Sequence, residues 1–251
     1  MIWLDEKWLE KFFAEKDLWP NRTGQGPVSA GPPMFGGRFV YNQKEDIDTK
    51  NLGLGWIYYS VARLYKPKTA LIIGSGRGFT PLLLAKGIKD NNNGGILHFI
   101  DPSLDDDFWK DANKNRKWFA KFGLDKVIIH YLKTTQEFVK TQDYKKLDNI
   151  ELLFIDASHF YEFVKFDFDA FEKKVASGGI ILFHDSISRS KNPQWSGARK
   201  ALFDILKKKD YQSFDFKFGA GLTLVQKKFF EQEPAYIEKL EKEWRGNPKE
   251  F

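Results

Sequence analysis

The sequence predicts an α/β protein whose doubly wound, mostly parallel seven-stranded sheet ends in an antiparallel hairpin. Three observations support this fold class. From residue 69 onward, short apolar runs alternate with amphipathic segments of helical length, which is typical of repeated βα units. A glycine-rich turn, GSGRG, follows the first run. Two strand-like segments without a helix between them, YQSFDFKFG and AGLTLVQKK, predict a hairpin at the end of the sheet.

Each element is predicted from its hydrophobic pattern. Five continuous apolar runs are typical of parallel strands buried on both faces, at 69–74, 96–101, 127–132, 150–157 and 178–185. Amphipathic spacing predicts the intervening helices at 79–89, about 106–122, 135–146, 162–176 and 196–209. Two further helices are expected before the sheet, at 3–16 and 49–65, the second of which ends before Pro67.

The pattern divides the chain into three parts. Residues 1–66 are expected to form an extension that serves as a lid or an interface, and its Gly- and Pro-rich stretch 20–42 is the candidate lid. Residues 67–230 form the main domain, and residues 231–251 are expected to add a C-terminal helix packed on it. The aromatic segment IWLDEKWLEKFF near the N-terminus is a reasonable interface for a homo-oligomer.

Composition narrows the functional class. No stretch of about 18 uncharged apolar residues appears, so no membrane span is expected. The N-terminal segment carries acids and does not resemble a signal peptide, and cysteine is absent, which excludes disulfides and thiolate sites and fits a cytoplasmic protein. The net charge of +6 comes from scattered lysines that alternate with acids. They are typical of a solvated surface, so a nucleic-acid partner is not expected.

The glycine loop is the first candidate binding site. Gly74, Gly76 and Gly78 follow the first strand and open a helix, where glycine allows a tight turn and close approach of a ligand. The G-x-G-x-G spacing differs from the dinucleotide fingerprint G-x-G-x-x-G. Asp101 ends the second strand, where an acid can hold the hydroxyls of a ribose. Asp101 could instead be a turn or capping residue before Pro102.

The loop, the acid at 101 and the terminal hairpin together resemble the class I S-adenosylmethionine-dependent methyltransferases, over about residues 69–228. The resemblance implies a Rossmann-like methyltransferase fold and S-adenosylmethionine as cofactor. It implies that the cofactor-binding residues are Gly74, Ser75, Gly76, Gly78, Thr80, Asp101, Pro102, Thr134 and Asp156. One position departs from the family pattern: Ile72 stands where the family usually has an acid that contacts the methionine end of the cofactor.

Acid and histidine end the two most hydrophobic strands. Asp156 ends the fourth strand with His159 three residues later, and His184 and Asp185 end the fifth. If these strands are neighbours, about 4.8 Å apart, their ends can converge on one small cation. Two carboxylates and an imidazole suit Mg²⁺, Mn²⁺ or a similar ion. Each residue taken alone could instead cap a turn.

The pattern IDASHFYE…GGIILFHD resembles the metal-dependent O-methyltransferases that act on macrolide sugars, of the macrocin and mycinamicin type, and the cephalosporin-type enzymes. This resemblance implies that Asp156 and Asp185 bind the metal and that His159 is the catalytic base. The third ligand position, often glutamate in relatives, is His184 here. A metal lowers the pKa of a hydroxyl group and an imidazole removes its proton, so the implied acceptor is a hydroxylated small molecule, such as a sugar.

Several positions keep two interpretations. Thr134 could contact the adenine or cap the following helix. His98 and His130 lie inside strands and are expected to pack in the core. Arg189, Lys191 and Trp195 could border the acceptor. Trp195 could equally pack against the start of the next helix as a hydrophobic staple.

Three alternatives to metal-assisted O-methylation stay open. The same fold could carry N-methylation or a metal-free group transfer. A binding or accessory protein could have kept the cofactor fold without turnover, which the isoleucine at 72 favours slightly. Nucleic-acid methylation would require salt-dependent binding to DNA or RNA, and no aromatic and basic recognition motif supports it.

Overall fold

The computed structural model describes residues 4–15, 18, 50–104, 107–187, 193–208, 210–217 and 221–227, with residues 239 and 242. Four predictions fall outside these residues: the lid at 20–42, the roles of Arg189 and Lys191, and, apart from two positions, the C-terminal helix. The side chain of Trp195 is likewise not described.

One seven-stranded sheet forms the centre of the fold. Its strands are β1 Thr69–Ile73, β2 Ile96–Ile100, β3 Ile128–Tyr131, β4 Ile150–Ile155, β5 Val175–His184, β6 Tyr211–Phe216 and β7 Leu222–Lys227. Their order across the sheet is β3-β2-β1-β4-β5-β7-β6. The first five strands pair in parallel, and β7 pairs antiparallel with both β5 and β6. The predicted fold class is confirmed, including the hairpin.

The helices of the described residues connect and cover these strands. They are α1 Glu6–Ala14, α2 Gly55–Tyr65, α3 Phe79–Asp90, α4 Ala112–Lys121, α5 Thr135–Phe138, α6 Gln142–Lys146, α7 Tyr161–Phe171 and α8 Pro193–Leu206. A 3-10 turn at Glu172–Lys174 joins α7 to β5. In this part of the chain, every helix is too short or too polar to cross a lipid bilayer.

Alternation along the strands separates the core into two layers. In β1, Ala70 and Ile72 pack with α1, α2, α3 and α4, whereas Leu71 and Ile73 pack with α7 and α8. All four side chains are essentially buried, as expected for a parallel sheet covered on both faces. Ile72, at the position where the family usually carries an acid, is therefore a core residue of the first layer.

Helix boundaries differ from the prediction where polar side chains cap the backbone. The helix expected from about residue 106 begins only at Ala112, because the side chain of Asp111 accepts hydrogen bonds from the next turn. The helix expected at 135–146 divides into α5 and α6, because Thr141 caps a second start by accepting from the amide of Tyr144. Such caps act over a few residues and leave the hydrophobic period unchanged.

Candidate active site

The carboxyl ends of β1, β2 and β4 meet at one edge of the sheet. The amide of Gly74 donates a 2.8 Å hydrogen bond to the carbonyl of Ile100. The amide of Asp156 donates a 2.9 Å hydrogen bond to the carbonyl of Ile73. Gly74 has a φ of 76°, and a Cβ atom there would lie 2.4 Å from the carbonyl oxygen of Asp156. Glycine is therefore required at 74 by the packing of the strand ends as well as by the turn.

The glycine loop presents a buried hydroxyl group that has no partner among the described residues. Ser75 is 5% exposed, and its Oγ atom makes no hydrogen bond within the described residues. Buried hydroxyl groups are nearly always hydrogen-bonded in native proteins. Thr80, which was also predicted to bind the cofactor, does have a protein partner. It is buried in the first turn of α3, and its hydroxyl lies 3.4 Å from Oδ2 of Asp156. The orphaned Ser75 hydroxyl fits a site that a ligand completes.

Asp101 lies at the end of β2, next to the glycine loop. Its Oδ1 accepts a 2.7 Å hydrogen bond from the amide of Ser103, so the predicted turn role is present. Its carbonyl oxygen lies 3.1 Å from Nε2 of His130. Pro102 follows in the same loop and is partly exposed. The carboxylate lies one strand away from Gly74, and its contact with a ribose remains a prediction.

Thr134 acts as a helix cap. Its side chain accepts from the amide of Glu137, while the Glu137 side chain accepts from the Thr134 amide, which forms a reciprocal capping box. The capping interpretation of Thr134 is thus seen in the structure, and a cofactor contact from this residue remains a prediction.

The two strand histidines are only half buried and have polar partners. Nδ1 of His98 lies 3.0 Å from the hydroxyl of Tyr131, and burial lowers the pKa of His98. Burial lowers the pKa of His130 to about 4, although its hydrogen bond with the backbone of Asp101 opposes this. His130 is therefore a neutral residue beside the candidate cofactor acid, and core packing accounts for only part of its environment.

The acids and histidines that end β4 and β5 converge. Nε2 of His159 lies 3.0 Å from Oδ2 of Asp185, and Nδ1 of His184 lies 3.5 Å from the same oxygen. Nδ1 of His184 also lies 2.9 Å from Oδ1 of Asp156. Within the described residues Nδ1 of His184 makes no hydrogen bond, so this contact is an ion pair. His184 and Asp185 are buried, whereas Asp156 and His159 are partly exposed.

The charges in this group compensate one another. Burial alone would lower the pKa of His184, but the carboxylates of Asp156 and Asp185 outweigh it and raise that pKa well above its ordinary value. Burial alone would raise the pKa of Asp185, but His184 and His159 hold it well below the usual range. The buried imidazolium of His184 is therefore the cation that neutralises the two strand ends.

Three of these residues could hold a metal ion. One ligand atom each from Asp156, His159 and His184 all lie within 4.8 Å of one another. Nε2 of His184 is buried and has no hydrogen-bond partner among the described residues, which leaves this nitrogen for another ligand. A carboxylate with two imidazoles suits a divalent ion such as Mn²⁺ better than the harder Mg²⁺. The compact set contains His159, whereas the sequence resemblance implies Asp185 as the ligand.

Neighbouring elements fix the position of His159. A Cβ atom on Gly197, in α8, would lie 2.2 Å from the carbonyl oxygen of His159 and 2.3 Å from the amide of Tyr161. The first half of α8 therefore packs directly on the backbone that carries His159. The sequence prediction did not include Gly197, although a glycine inside a helical pattern is the usual signal of such close contact.

Two further interactions were not predicted. The hydroxyl oxygen of Thr223 lies 2.7 Å from the hydroxyl oxygen of Ser186 and 2.7 Å from carboxylate Oδ1 of Asp215, which connects the hairpin to the residue after Asp185. The indole of Trp109 donates to the carbonyl oxygen of Gly76 at 2.7 Å. Both depend on tertiary contacts between distant segments, and no local pattern in the sequence reports them.

Comparison with known proteins agrees with this geometry. Residues 71–186 match the family model described as a methyltransferase domain. An O-methyltransferase from Bacillus cereus, solved in complex with SAH, superposes with a TM-score of 0.62 at 16% identity, covering 91% of this chain and 94% of that one. The O-methyltransferase TomG from Streptomyces achromogenes, involved in tomaymycin synthesis and solved with SAM, gives 0.59 at 16% identity, with 91% and 92% covered.

Comparison with curated protein sequences finds no match. At these identities the superposed structures show the fold, and the family match covers the segment from β1 to the residue after Asp185. That segment contains the glycine loop, Asp101 and all four converging side chains. The chain therefore has the Rossmann-like fold seen in methyltransferases, and its central segment matches a methyltransferase-domain model.

Proposed function

We propose that this protein transfers the methyl group of S-adenosylmethionine to a hydroxyl oxygen of a small polar acceptor, such as a sugar, with the help of a divalent metal. The contact between His159 and Asp185, beside Asp156 and His184 at the carboxyl edge of the sheet, carries this proposal. It supplies a base and its orienting carboxylate next to a group of metal donors. The solved relatives named as O-methyltransferases support oxygen as the accepting atom.

The cofactor would be held by the glycine loop and the end of β2. The Ser75 hydroxyl, buried without a partner in the described part of the chain, would gain a hydrogen bond from the cofactor, and the carboxylate of Asp101 would accept from the ribose hydroxyls of the cofactor. The methionine end would lack the usual acid, because Ile72 is buried in the core. Binding of that end would therefore depend on the loop backbone.

His159 would take the proton of the acceptor. Its Nε2 faces the carboxylate of Asp185, so Nε2 holds a proton toward Asp185 and Nδ1 is left to accept the second. Asp185, with a pKa well below its usual range, stays ionised and stabilises the imidazolium that forms. The acceptor oxygen then attacks the methyl carbon of the cofactor while the bond between that carbon and sulfur breaks. The electron pair of the broken bond stays on sulfur and leaves the neutral thioether.

Asp156, His184 and Asp185 would hold the metal. When bound, the metal lowers the pKa of the acceptor hydroxyl and orients it. The proton on His184 neutralises the two carboxylates, and His184 would give up that proton in order to ligate a metal. If His159 completes the donor set instead, a different residue must act as base, and metal binding by a His159 variant decides between these roles.

The direct test is transfer of a labelled methyl group from S-adenosylmethionine to a panel of sugars, phenols and amines, with Mn²⁺, Mg²⁺ or a chelator. We expect labelled product from hydroxylated acceptors, a decrease with the chelator, and recovery with Mn²⁺. Transfer to amines alone would overturn the oxygen assignment. Transfer that the chelator leaves unchanged would overturn the role of the metal.

A second candidate is a protein that binds the cofactor without turnover. The observation that favours it is Ile72, which is fully buried at the position where the family places its acid. Tight binding of S-adenosylmethionine with no transfer to any acceptor class would support it. The pairing of His159 with Asp185 argues for turnover, because a binding role does not require an oriented base.

A further inference from the structure

A buried chain of hydrogen bonds joins the two candidate cofactor-binding elements. The amide of Ser103 donates to Oδ1 of Asp101, and the hydroxyl oxygen of Ser103 accepts from the amide of Trp109 at 2.9 Å. The indole of Trp109 then donates to the carbonyl oxygen of Gly76 at 2.7 Å. Asp101 and the glycine loop are thus connected through the Ser103 hydroxyl and the Trp109 indole, and the indole belongs to neither element.

The surroundings of Trp109 hold it in place. It is 2% exposed and stacks on Phe119 with ring centroids 5.5 Å apart. Its carbonyl oxygen accepts a 2.5 Å hydrogen bond from Nδ2 of Asn115. A Cβ atom on Gly78 would lie 2.9 Å from the Trp118 ring and 3.0 Å from the Trp109 ring, so the loop packs against both indoles. The Trp109 ring cannot turn without disturbing the loop.

The same chain of contacts retains an unusual backbone conformation. Ser103 has a φ of 58°, in the left-handed region that serine seldom adopts. Such a conformation persists only where surrounding contacts determine it, and here Asp101 and Trp109 bind the amide and the hydroxyl of the residue. The strained turn sets the position of the carboxylate relative to the loop.

We propose that Trp109 is a positioning residue for the cofactor, which holds the glycine loop in its binding conformation and in register with Asp101. This inference rests on the proposed use of S-adenosylmethionine at this site. Three glycines in five residues give the loop many conformations, and fixing them on binding costs free energy. The Trp109 indole fixes the carbonyl of Gly76 beforehand, so that less of this cost falls on the cofactor.

The sequence offers a matched control in Trp118. This residue is also 2% exposed, lies 5.5 Å from Trp109 between ring centroids, and packs in the same aromatic layer. Its Nε1 atom has no hydrogen-bond partner in the described part of the chain. Trp109→Phe and Trp118→Phe therefore remove the same atoms from the same environment, but only the first removes the hydrogen bond to the loop.

The test is calorimetric titration of S-adenosylmethionine and S-adenosylhomocysteine into wild type and both variants, with thermal unfolding of each. We expect Kd to rise about five- to tenfold in Trp109→Phe, the loss of about one buried hydrogen bond, and to change less than twofold in Trp118→Phe. Ser103→Ala should weaken binding as well, and the double variant should be little worse than either single one, because both interrupt one chain of contacts.

The outcomes separate this inference from the proposed function. If wild type does not bind either nucleotide, the cofactor assignment itself is wrong. If wild type binds and the two tryptophan variants have equal Kd values at similar melting temperatures, Trp109 has only a packing role. If Trp109→Phe does not fold, Ser103→Ala alone carries the test, and an unchanged Kd in that variant overturns the inference.

Discussion

Nε2 of His159 lies 3.0 Å from Oδ2 of Asp185, although the two residues belong to loops after different strands. Gly197 allows α8 to pack on the backbone of His159, and Asp185 adopts a left-handed conformation with a φ of 50°. The imidazole is therefore oriented by a carboxylate that stays ionised. Such a pair is the arrangement that general-base catalysis requires.

Replacing His159 by glutamine should lower turnover by about 10²- to 10⁴-fold, because the acceptor proton loses its base. Binding of S-adenosylmethionine should stay within about twofold, since the glycine loop and Asp101 are unchanged. Transfer kinetics and calorimetry measure the two effects. His98→Gln, which changes a histidine paired with Tyr131 in another strand, should keep near wild-type turnover.

The same His159 variant distinguishes a base from a metal ligand. If His159 is the base, the Kd of His159→Gln for Mn²⁺ should stay within about threefold of the wild-type Kd, and electron paramagnetic resonance measures this binding. A loss of Mn²⁺ binding comparable to that of Asp156→Asn would instead place His159 in the metal shell.

Asp156→Asn should weaken Mn²⁺ binding by at least tenfold, because a charged ligand oxygen at the end of β4 becomes a neutral amide. The loss of charge should also lower the pKa of His184, which burial lowers and Asp156 raises. Asp204→Asn is the matched control, since Asp204, on α8, pairs with Lys207 just beyond the end of that helix and is outside the metal donors. Equal Mn²⁺ affinity in the two variants would contradict the metal assignment.

Asp167 in α7 should make stability depend on pH. Burial raises its pKa to about 7 from 3.8, although a hydrogen bond from Thr135 opposes this. The folded protein thus binds this proton more tightly than the unfolded chain. The contribution of protonated Asp167 to the free energy of unfolding is therefore fully present below about pH 4, decreases as the pH rises, and is lost above about pH 7.

Asp167→Asn should therefore flatten the stability profile between pH 4 and 7 and stabilise the protein at pH 8, by at most about 4 kcal/mol. Urea unfolding across this range measures it. Asp169→Asn, on the same helix with a half-exposed carboxylate, should keep the wild-type profile. A profile with the same slope in wild type and Asp167→Asn would show that Asp167 is not the group responsible.

Thr223→Val should destabilise the protein by about 1–3 kcal/mol in urea unfolding. A carboxylate can only accept, so Thr223 donates to Asp215 and accepts from Ser186; valine leaves both groups with one partner fewer. Asp215 would keep its ion pair with Arg199, at 3.0 Å. Ser213→Ala, at an exposed position on the same hairpin, should change stability by less than about 0.5 kcal/mol.

The predictions that rested on hydrophobic period agree best with the structure. Each parallel strand was placed to within three residues at its start, and the convergence of Asp156 with His184 followed from the order of neighbouring strands. The hydrophobic period carries no information about helix caps, so the prediction missed that Thr141 divides one expected helix into α5 and α6. The strand expected at 178 begins at Val175, which pairs with Ile150 before an irregularity in β5 shifts the register so that Ile180 pairs with Leu152.

The parts of the site that could not be predicted depend on tertiary contact. The donation from Trp109 to Gly76 crosses 33 residues, and that between Thr223 and Ser186 crosses 37. Neither leaves a local pattern in the sequence. At Thr134 the local sequence was ambiguous, because a threonine before a helix can cap that helix or contact a ligand. The structure shows the cap.

The central claim is that the edge of the sheet between the glycine loop and Asp101 binds S-adenosylmethionine. Calorimetric titration of wild type, Asp101→Ala and Asp148→Ala tests it most directly, since Asp148 is an exposed acid two residues before β4, at the opposite end of that strand from Asp156. We expect micromolar binding to wild type and Asp148→Ala, and binding weakened at least tenfold in Asp101→Ala. Wild-type protein that binds neither S-adenosylmethionine nor its demethylated product would contradict the account.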